Sequence, residues 1–454
     1  MIFRSRELLI FLLLAVGTVQ AEVLTVGPGG AYQTISSAIA AAADGDTIRV
    51  ESGSYNEELT VDKRLRLEGI NMPIIIGTRK GSTVTMIAPG SVISGFRIEG
   101  CGGDLQKEDA GILLRSDGNI VENNELEDVL FGIYLYHSSN NTIRGNRVVG
   151  RKHLESGGRG AGLHLWNSSG NTLEENIISH TRDGMYIQSS PDNTIRGNRV
   201  SQLRYGLHFM NSDDNRFEDN VFHDNIAGAA IMYSQRIELR RNTFVRNRGF
   251  SSFGILFQDC RNCVTEENLI LDNAVGLFLE ATNDSVFRRN TVAENDVAMQ
   301  IFSSSKRTVF TMNNFINNLS PLQIVGNISS STKWDPDEGG NYWSDYDGYD
   351  MDGDGIGDVR HRIHNIFEYL EGNHPRLRIY LNSPAARSIV VTEKSFPILK
   401  GSNEFDNRPL MRPVKIATTF LPERSSGRAG WFLLAFSSMM LGVAVAVFYR
   451  GLVR

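Results

Sequence analysis

The chain has 454 residues, 12 prolines against 44 glycines, three cysteines, and 46 basic and 52 acidic residues for a formal charge of −6. Charge of both signs spread along the chain excludes a basic nucleic-acid stripe, and three cysteines exclude a disulfide framework. A length well beyond the roughly 250–300 residues of a single globular core is compatible with a solenoid, whose repeats touch only their neighbours.

Arg4 and Arg6 precede an apolar run from Leu8 to Val16 and a small-residue site at Val19-Gln20-Ala21, which predicts a signal peptide over residues 1–21 and export. Tyr32 to Ala43 (YQTISSAIAAAA) predicts a short apolar helix covering the open end of a first coil, with a strand at Thr47 to Val50. The segments beginning at Leu65 and Val92 read as early, irregular coils.

Internal repetition decides the fold. A Gly-apolar-x-apolar-x unit starts at Gly111, Gly132, Gly162, Gly184, Gly206, Gly228, Gly254 and Gly276, and again at Ala298, in steps of 21, 30, 22, 22, 22, 26, 22 and 22 residues. Between these units runs a second, such as Asn141-Thr-Ile-Arg-Gly-Asn146 and Asn193-Thr-Ile-Arg-Gly-Asn198. Apolar residues alternate with period two, the mark of strands. The pattern predicts an all-β, right-handed parallel β-helix of about 22 residues per coil over residues 22–330, with Asn stacked as a ladder and Gly supplying the turn before each strand. Two insertions, Gly150 to Arg159 and Arg246 to Phe253, fall at one phase of the repeat and so emerge on one side.

Phasing the Gly strand places alternate residues outside. The outward strip is Tyr134, His164, Tyr186 and His208 at one position, with Tyr136, Trp166, Gln188, Met210 and Met232 two residues on. Three readings stand beside one another: ordinary sheet composition packed under an insertion, an aromatic platform for sugar or partner protein (Tyr134, Tyr136, Trp166, Tyr186), and soft-metal binding. Copper(I) favours thioether and imidazole, which singles out His164, His208, Met210 and Met232 for a transient site, with His208 beside Met210 or Met232 at its centre. His164 and His208 lie about 10 Å apart, too far to share one ion. Hydrolysis of a polysaccharide needs paired carboxylates, and the strip offers only Glu280, with Asp183 and Asp259 near turns. Cys260 and Cys263 form a CxxC at a turn, expected as a local disulfide or, second, a thiolate metal site.

Residues 331–428 change composition. Asp350, Asp352, Asp354 and Asp358 match positions 1, 3, 5 and 9 of an EF-hand-like loop, with His361 where a bidentate Glu is expected, which predicts a structural Ca²⁺. Gly430 to Tyr449 is uncharged over twenty residues, edged by Trp431 and Tyr449, and predicts a membrane span over 429–449 with a cytoplasmic tail at 450–454.

The exported β-helix, the run NYWSDYDGYDMDGDGIGD, and the later Ser383-Pro384-Ala385, Phe396-Pro397-Ile398-Leu399 and Arg408-Pro409-Leu410-Met411-Arg412-Pro413 resemble the NosD family over the whole mature chain. The resemblance implies a non-catalytic periplasmic protein that helps mature nitrous oxide reductase. Its implied partners are an ABC ATPase and permease, a copper chaperone, and the reductase itself. The apolar C-terminal segment departs from the soluble form expected of that family. The competing expectation is a membrane-held polysaccharide-binding β-helix or a lyase or epimerase, favoured by the Tyr136–Trp166 platform.

Overall fold

The structure, a computed structural model, describes residues 21–363 apart from 250, 327–330 and 337–338, scattered positions between 374 and 392, and residues 404–416. The predicted signal peptide and the predicted span therefore lie outside the described residues; among those described, no helix is long and apolar enough to cross a membrane. The chain divides into two units, Met1–Thr419 and Phe420–Arg454.

Three parallel sheets of 14, 12 and 13 strands wrap one core, and every strand pairs with the strands one coil before and after it. This is the parallel β-helix that the 22-residue period predicts. Pairing continues past residue 330, through Ser331–Lys333 on the first sheet and Tyr342–Trp343 on the third. Inward residues stack in rows: Ile133, Leu163, Met185, Leu207, Ala229, Ile255 and Leu277 lie in register on the second sheet and are almost wholly buried. The last coils are filled by rings, with Phe287 stacked on Phe310 at 4.6 Å and Phe315 on Trp343 at 4.3 Å. Each buried ring contributes about 2–3 kcal/mol of apolar burial.

The asparagines stack as expected, in more than one column. In the longest column, Asn124, Asn146, Asn176, Asn198, Asn220, Asn242, Asn268, Asn290 and Asn313 each donate a backbone N–H to the side-chain oxygen of the Asn one coil on. Their amide NH₂ groups donate to strand carbonyls of the preceding coil, as Asn176 does to Ile143. One side chain per coil thus satisfies turn groups that water cannot reach.

The glycine that opens each second-sheet strand has a different role from the one expected. The positive-φ positions in the turns are mostly non-glycine, for example Glu175 at +56° and Asp219 at +55°. Gly162 is needed instead for close approach: a Cβ there would lie 2.3 Å from Ile178 Cγ2 and 2.7 Å from the Gly184 carbonyl oxygen.

The N-terminal cap is the helix Ile35–Ala41, shorter than expected, started by the Thr34 side chain accepting from Ser37 N–H. Glu57 accepts from the first-turn amides of Ile35 and Ser36, and Lys63 donates to the carbonyls of Ile39, Ala40 and Ala42 at the other end.

The opposite end is closed by the segment containing Arg408–Pro413. Phe405–Asp406 pairs antiparallel with His361–Arg362, and Leu410 bridges both Tyr342 and Ile356. Asp406 ends the long ladder: its fully buried carboxylate accepts from Asn341 N–H at 2.7 Å, Trp343 Nε1–H at 3.0 Å and Arg408 N–H at 3.1 Å. Burial raises its pKa against the lowering effect of these donors. Replacing Asp406 with Ala leaves buried donors unpaired and should cost about 3 kcal/mol, whereas Asp406→Asn keeps an acceptor and removes a buried charge. Hydrogen exchange at Asn341 and Trp343 under neutral conditions checks this: protection should collapse in the Ala variant and persist in the Asn variant.

Candidate functional site

Four connections longer than a turn leave the solenoid at one phase, each running from a third-sheet strand to a second-sheet strand: residues 77–83, and the longer 100–109, 151–160 and 246–254. The last two are the insertions visible in the repeat; the first two belong to the irregular early coils. Arg151 ties the 151–160 connection to the 100–109 connection by donating to the carbonyls of Cys101 and Gly102, and donates also to Asp128 O.

These connections change the outer strip. Tyr134, His164, Tyr186 and His208 do form a column of rings on the outer face, with centroid separations of 4.4, 4.9 and 4.7 Å. The upper half of the column is not exposed, contrary to expectation. Tyr134 and His164 are 4% and 2% exposed, because Phe131 stacks on His164 at 5.5 Å and Glu108 approaches its Nδ1 at 3.7 Å. Burial, then Glu108, pushes the Tyr134 hydroxyl pKa upward. His164 has no hydrogen-bond partner on either ring nitrogen among the described residues, and burial, with a smaller contribution from Arg182, pushes its pKa down to about 3. His164 is thus a neutral ring inside an aromatic stack, with Tyr186 between it and His208.

The lower half is partly open. His208 keeps 18% of its side chain exposed, Tyr136 is exposed, and Trp166, Tyr186, Met210 and Met232 are half-buried. Met210 and Met232 are register partners on adjacent strands, and the Tyr186 hydroxyl, which donates to Gln188 Oε1, lies 3.7 Å from Met210 Sδ.

Behind His208 stands Asp183, which is fully buried. Its carboxylate accepts two hydrogen bonds from Arg204, at 3.0 and 2.8 Å, and lies 3.3 Å from His208 Nδ1. Burial alone would raise its pKa; the hydrogen bonds from His208 and Arg204 outweigh this, hold it below the ordinary carboxylate range and keep it ionised. An ionised acceptor at Nδ1 selects the tautomer with hydrogen there, which leaves the Nε2 lone pair for a ligand. Asp183 is a neighbour of His208 that phasing by strand alone did not place. A signal was available: its register partners are Ala161 and Tyr205, with Ala227 next, and a carboxylate in such a row needs a reason.

The remaining candidates separate. Asp183 and Glu280 lie four coils apart in the register, about 19 Å at the spacing of adjacent strands, well outside the roughly 5–9 Å that glycoside hydrolysis requires. Asp213 and Asp214 hold Arg236, and Asp219 holds Arg241, as turn-to-turn ion pairs. Cys260 and Cys263 are buried and unlinked, contrary to the expected disulfide. Cys260 Sγ donates to Ile231 O and Gln258 O, and Cys263 Sγ to Arg261 O, so both thiols serve turn carbonyls, the task of the ladder side chains they replace. In the acidic run, Asp350, Asp352 and Asp354 come within 4.8 Å of one another. Asp358 instead accepts from Met351 N–H, and His361 turns inward to stack on Trp343 at 5.1 Å.

The structure is a parallel β-helix with a half-open imidazole and a thioether pair on the outer face of one sheet. Residues 42–155 and 148–348 match the family model described as periplasmic copper-binding protein (NosD). The chain is also 32% identical, over 90% of its length and 96% of the relative's, to the probable ABC transporter binding protein NosD of Pseudomonas aeruginosa. The protein of the same description from Stutzerimonas stutzeri is 29% identical over 80% of this chain and 86% of its own. This chain belongs to the NosD family of periplasmic proteins. Among solved structures, the catalytic domain of a GH87 alpha-1,3-glucanase in complex with tetrasaccharides is similar, with a TM-score of 0.51 at 13% identity, covering 71% of this chain and 69% of that one; that likeness concerns the fold alone.

A depressed histidine pKa makes folding oppose protonation. Stability should therefore be intact above the unfolded value of about 6.5 and fall by about 1.4 kcal/mol for each pH unit below it, until the folded value near 3 is reached. Replacing His164 with Phe should flatten this slope between pH 6.5 and 4.5; denaturant titrations of both proteins across that window check it.

Proposed function

We propose that this chain is a non-catalytic periplasmic accessory protein that carries copper(I) as cargo for assembly of the copper site of nitrous oxide reductase, in concert with an ABC transporter. The family description as copper-binding and the relatives' description as ABC transporter binding proteins support this reading. One observation carries it at the residue level: His208 presents a ring whose Nδ1 is occupied by a buried carboxylate, beside Met210 and its register partner Met232. Neutral nitrogen and thioether donors suit copper(I), and a half-open site with few donors releases cargo more readily than a closed one. The Tyr134, Tyr136, Trp166 and Tyr186 surface would receive a copper chaperone or the apo-reductase. His164, which the sequence pattern also nominates, would act only when the 100–109 connection moves aside. An anchor over residues 429–449 would hold the body at the membrane.

The test is a competition between the protein and a chromophoric copper(I) chelator. The His208→Ala, Met232→Ala double variant should bind at least tenfold more weakly than the parent while keeping its fold by circular dichroism, since neither side chain enters the solenoid core and Arg204 still holds Asp183. Equal affinity would reject the copper site and leave the surface as a platform, the reading that the exposed Tyr136 beside Trp166 favours.

We also propose that the acidic loop binds Ca²⁺ through Asp350, Asp352 and Asp354. Gly353 and Gly355 N–H groups fold the chain around Asp350, and Gly357 N–H and Met411 N–H tie the loop to the capping segment. An ion held there would stabilise the end of the solenoid, by about 2.7 kcal/mol at a hundredfold excess over Kd. Melting in Ca²⁺ and in chelator should differ for the parent and coincide for Asp352→Asn, Asp354→Asn; coincidence in the parent removes the ion.

A further inference from the structure

An open groove of about 470 Å³ runs between the two insertions, on the side of the molecule where the longer connections gather. Its lining includes four arginines, Arg159, Arg204, Arg246 and Arg248, against one aspartate, Asp224. Its floor carries Leu203 and Ile226, and Ile226 is 43% exposed. The arginines do not all lose their charge to neighbours. Arg204 is paired with Asp183, Arg246 with Asp224, and Arg248 with Asp272 and Asp296. Arg159, by contrast, spends its donors on the carbonyls of Lys152, Leu154 and His180 and meets no carboxylate among the described residues. Carbonyl acceptors fix the guanidinium in place and leave its full charge on the groove wall. Nearby His180 feels that field: burial lowers its pKa, and Lys152, Arg159 and Arg147 lower it further.

We infer that this groove binds an extended acidic peptide segment of a partner protein, lying along the solenoid axis between the insertions. The third-sheet strands before the two insertions are four coils apart. At the spacing of adjacent strands this is about 19 Å, the reach of about six extended residues. Alternate side chains of such a segment face opposite ways, so carboxylates meet the arginine walls while aliphatic groups cover Leu203 and Ile226. The aliphatic floor favours a peptide over an acidic sugar chain, which would call for ring faces to stack on. The groove meets the His208 site only through Arg204, which also holds Asp183, and the inference stands without the copper reading.

The test uses a fluorescein-labelled hexapeptide alternating Glu and Leu, titrated with the full chain and followed by fluorescence anisotropy. Binding should be saturable and should weaken at least tenfold between 50 and 300 mM salt, as a charge-led contact does. Arg159→Gln together with Arg248→Gln should weaken it at least tenfold. Because Arg248 also bridges two carboxylates, Ile226→Asp gives an independent arm: it breaks no ion pair, places a negative charge in the floor, and should abolish binding. Arg236→Gln, on a different face, should leave binding unchanged. Equal binding of a hexapeptide with Lys in place of Glu, or unaltered binding by Ile226→Asp, would overturn the proposal. Binding of hexamannuronate in place of the peptide would overturn it in favour of an acidic glycan.

Discussion

The structure depends on one recurring hydrogen bond: a backbone N–H in a tight turn given to the side-chain oxygen of an asparagine one coil away. A parallel β-helix has three turns per coil, and here many of the turn N–H groups are buried. Stacked asparagines answer this, because each amide both accepts and donates along the axis. The same bond fixes the register, since a slip of one residue would remove every amide in the column at once. With turns satisfied this way, the core rows need only be apolar, and the rings of Phe222, Phe244, Phe287 and Phe310 fill them without polar partners.

Because stability lies inside the solenoid, the outer face of the second sheet is free to vary. It carries aromatic rings, two imidazoles, thioethers and a buried carboxylate where a sheet built only for stability would carry small or β-branched residues. The cost appears at His164, whose ring nitrogens have no partners and whose protonation folding opposes. Two rings further on, Asp183 holds the His208 ring in a fixed orientation. Both effects arise from the same column, and both depend on what lies over it.

Periodic features were legible in the sequence because they repeat. The 22-residue step, the inward rows and the Asn columns each appear many times, so that Thr265 in an otherwise apolar row, or Cys263 in a column of asparagines, does not obscure them. Features that occur once were not legible. Burial of Tyr134 and His164 depends on the 100–109 connection, which lies in coils too irregular to phase. The disulfide expected at Cys260 and Cys263 rested on spacing alone, and the thiols turn out to be ladder members. The glycine preceding each strand was visible, but its reason was not: φ is a local property, whereas the contact of Gly162 with Gly184 is made across coils. The acidic run was found by its spacing, yet its attachment to Leu410 and Met411 joins residues more than fifty positions apart.

The segment that closes the last coil is also among the last to be made. Asp406 and Leu410 complete a ladder whose earlier members are in place once residue 341 has been threaded. A polypeptide interrupted upstream of residue 404 would therefore carry a nearly finished solenoid with one raw edge, a row of unpaired strand groups ready to join another copy. The finished edge therefore reports that the chain has been made through residue 410. Any system that recognises open strand edges can distinguish molecules with the closing segment from those without it, without inspecting the rest of the fold.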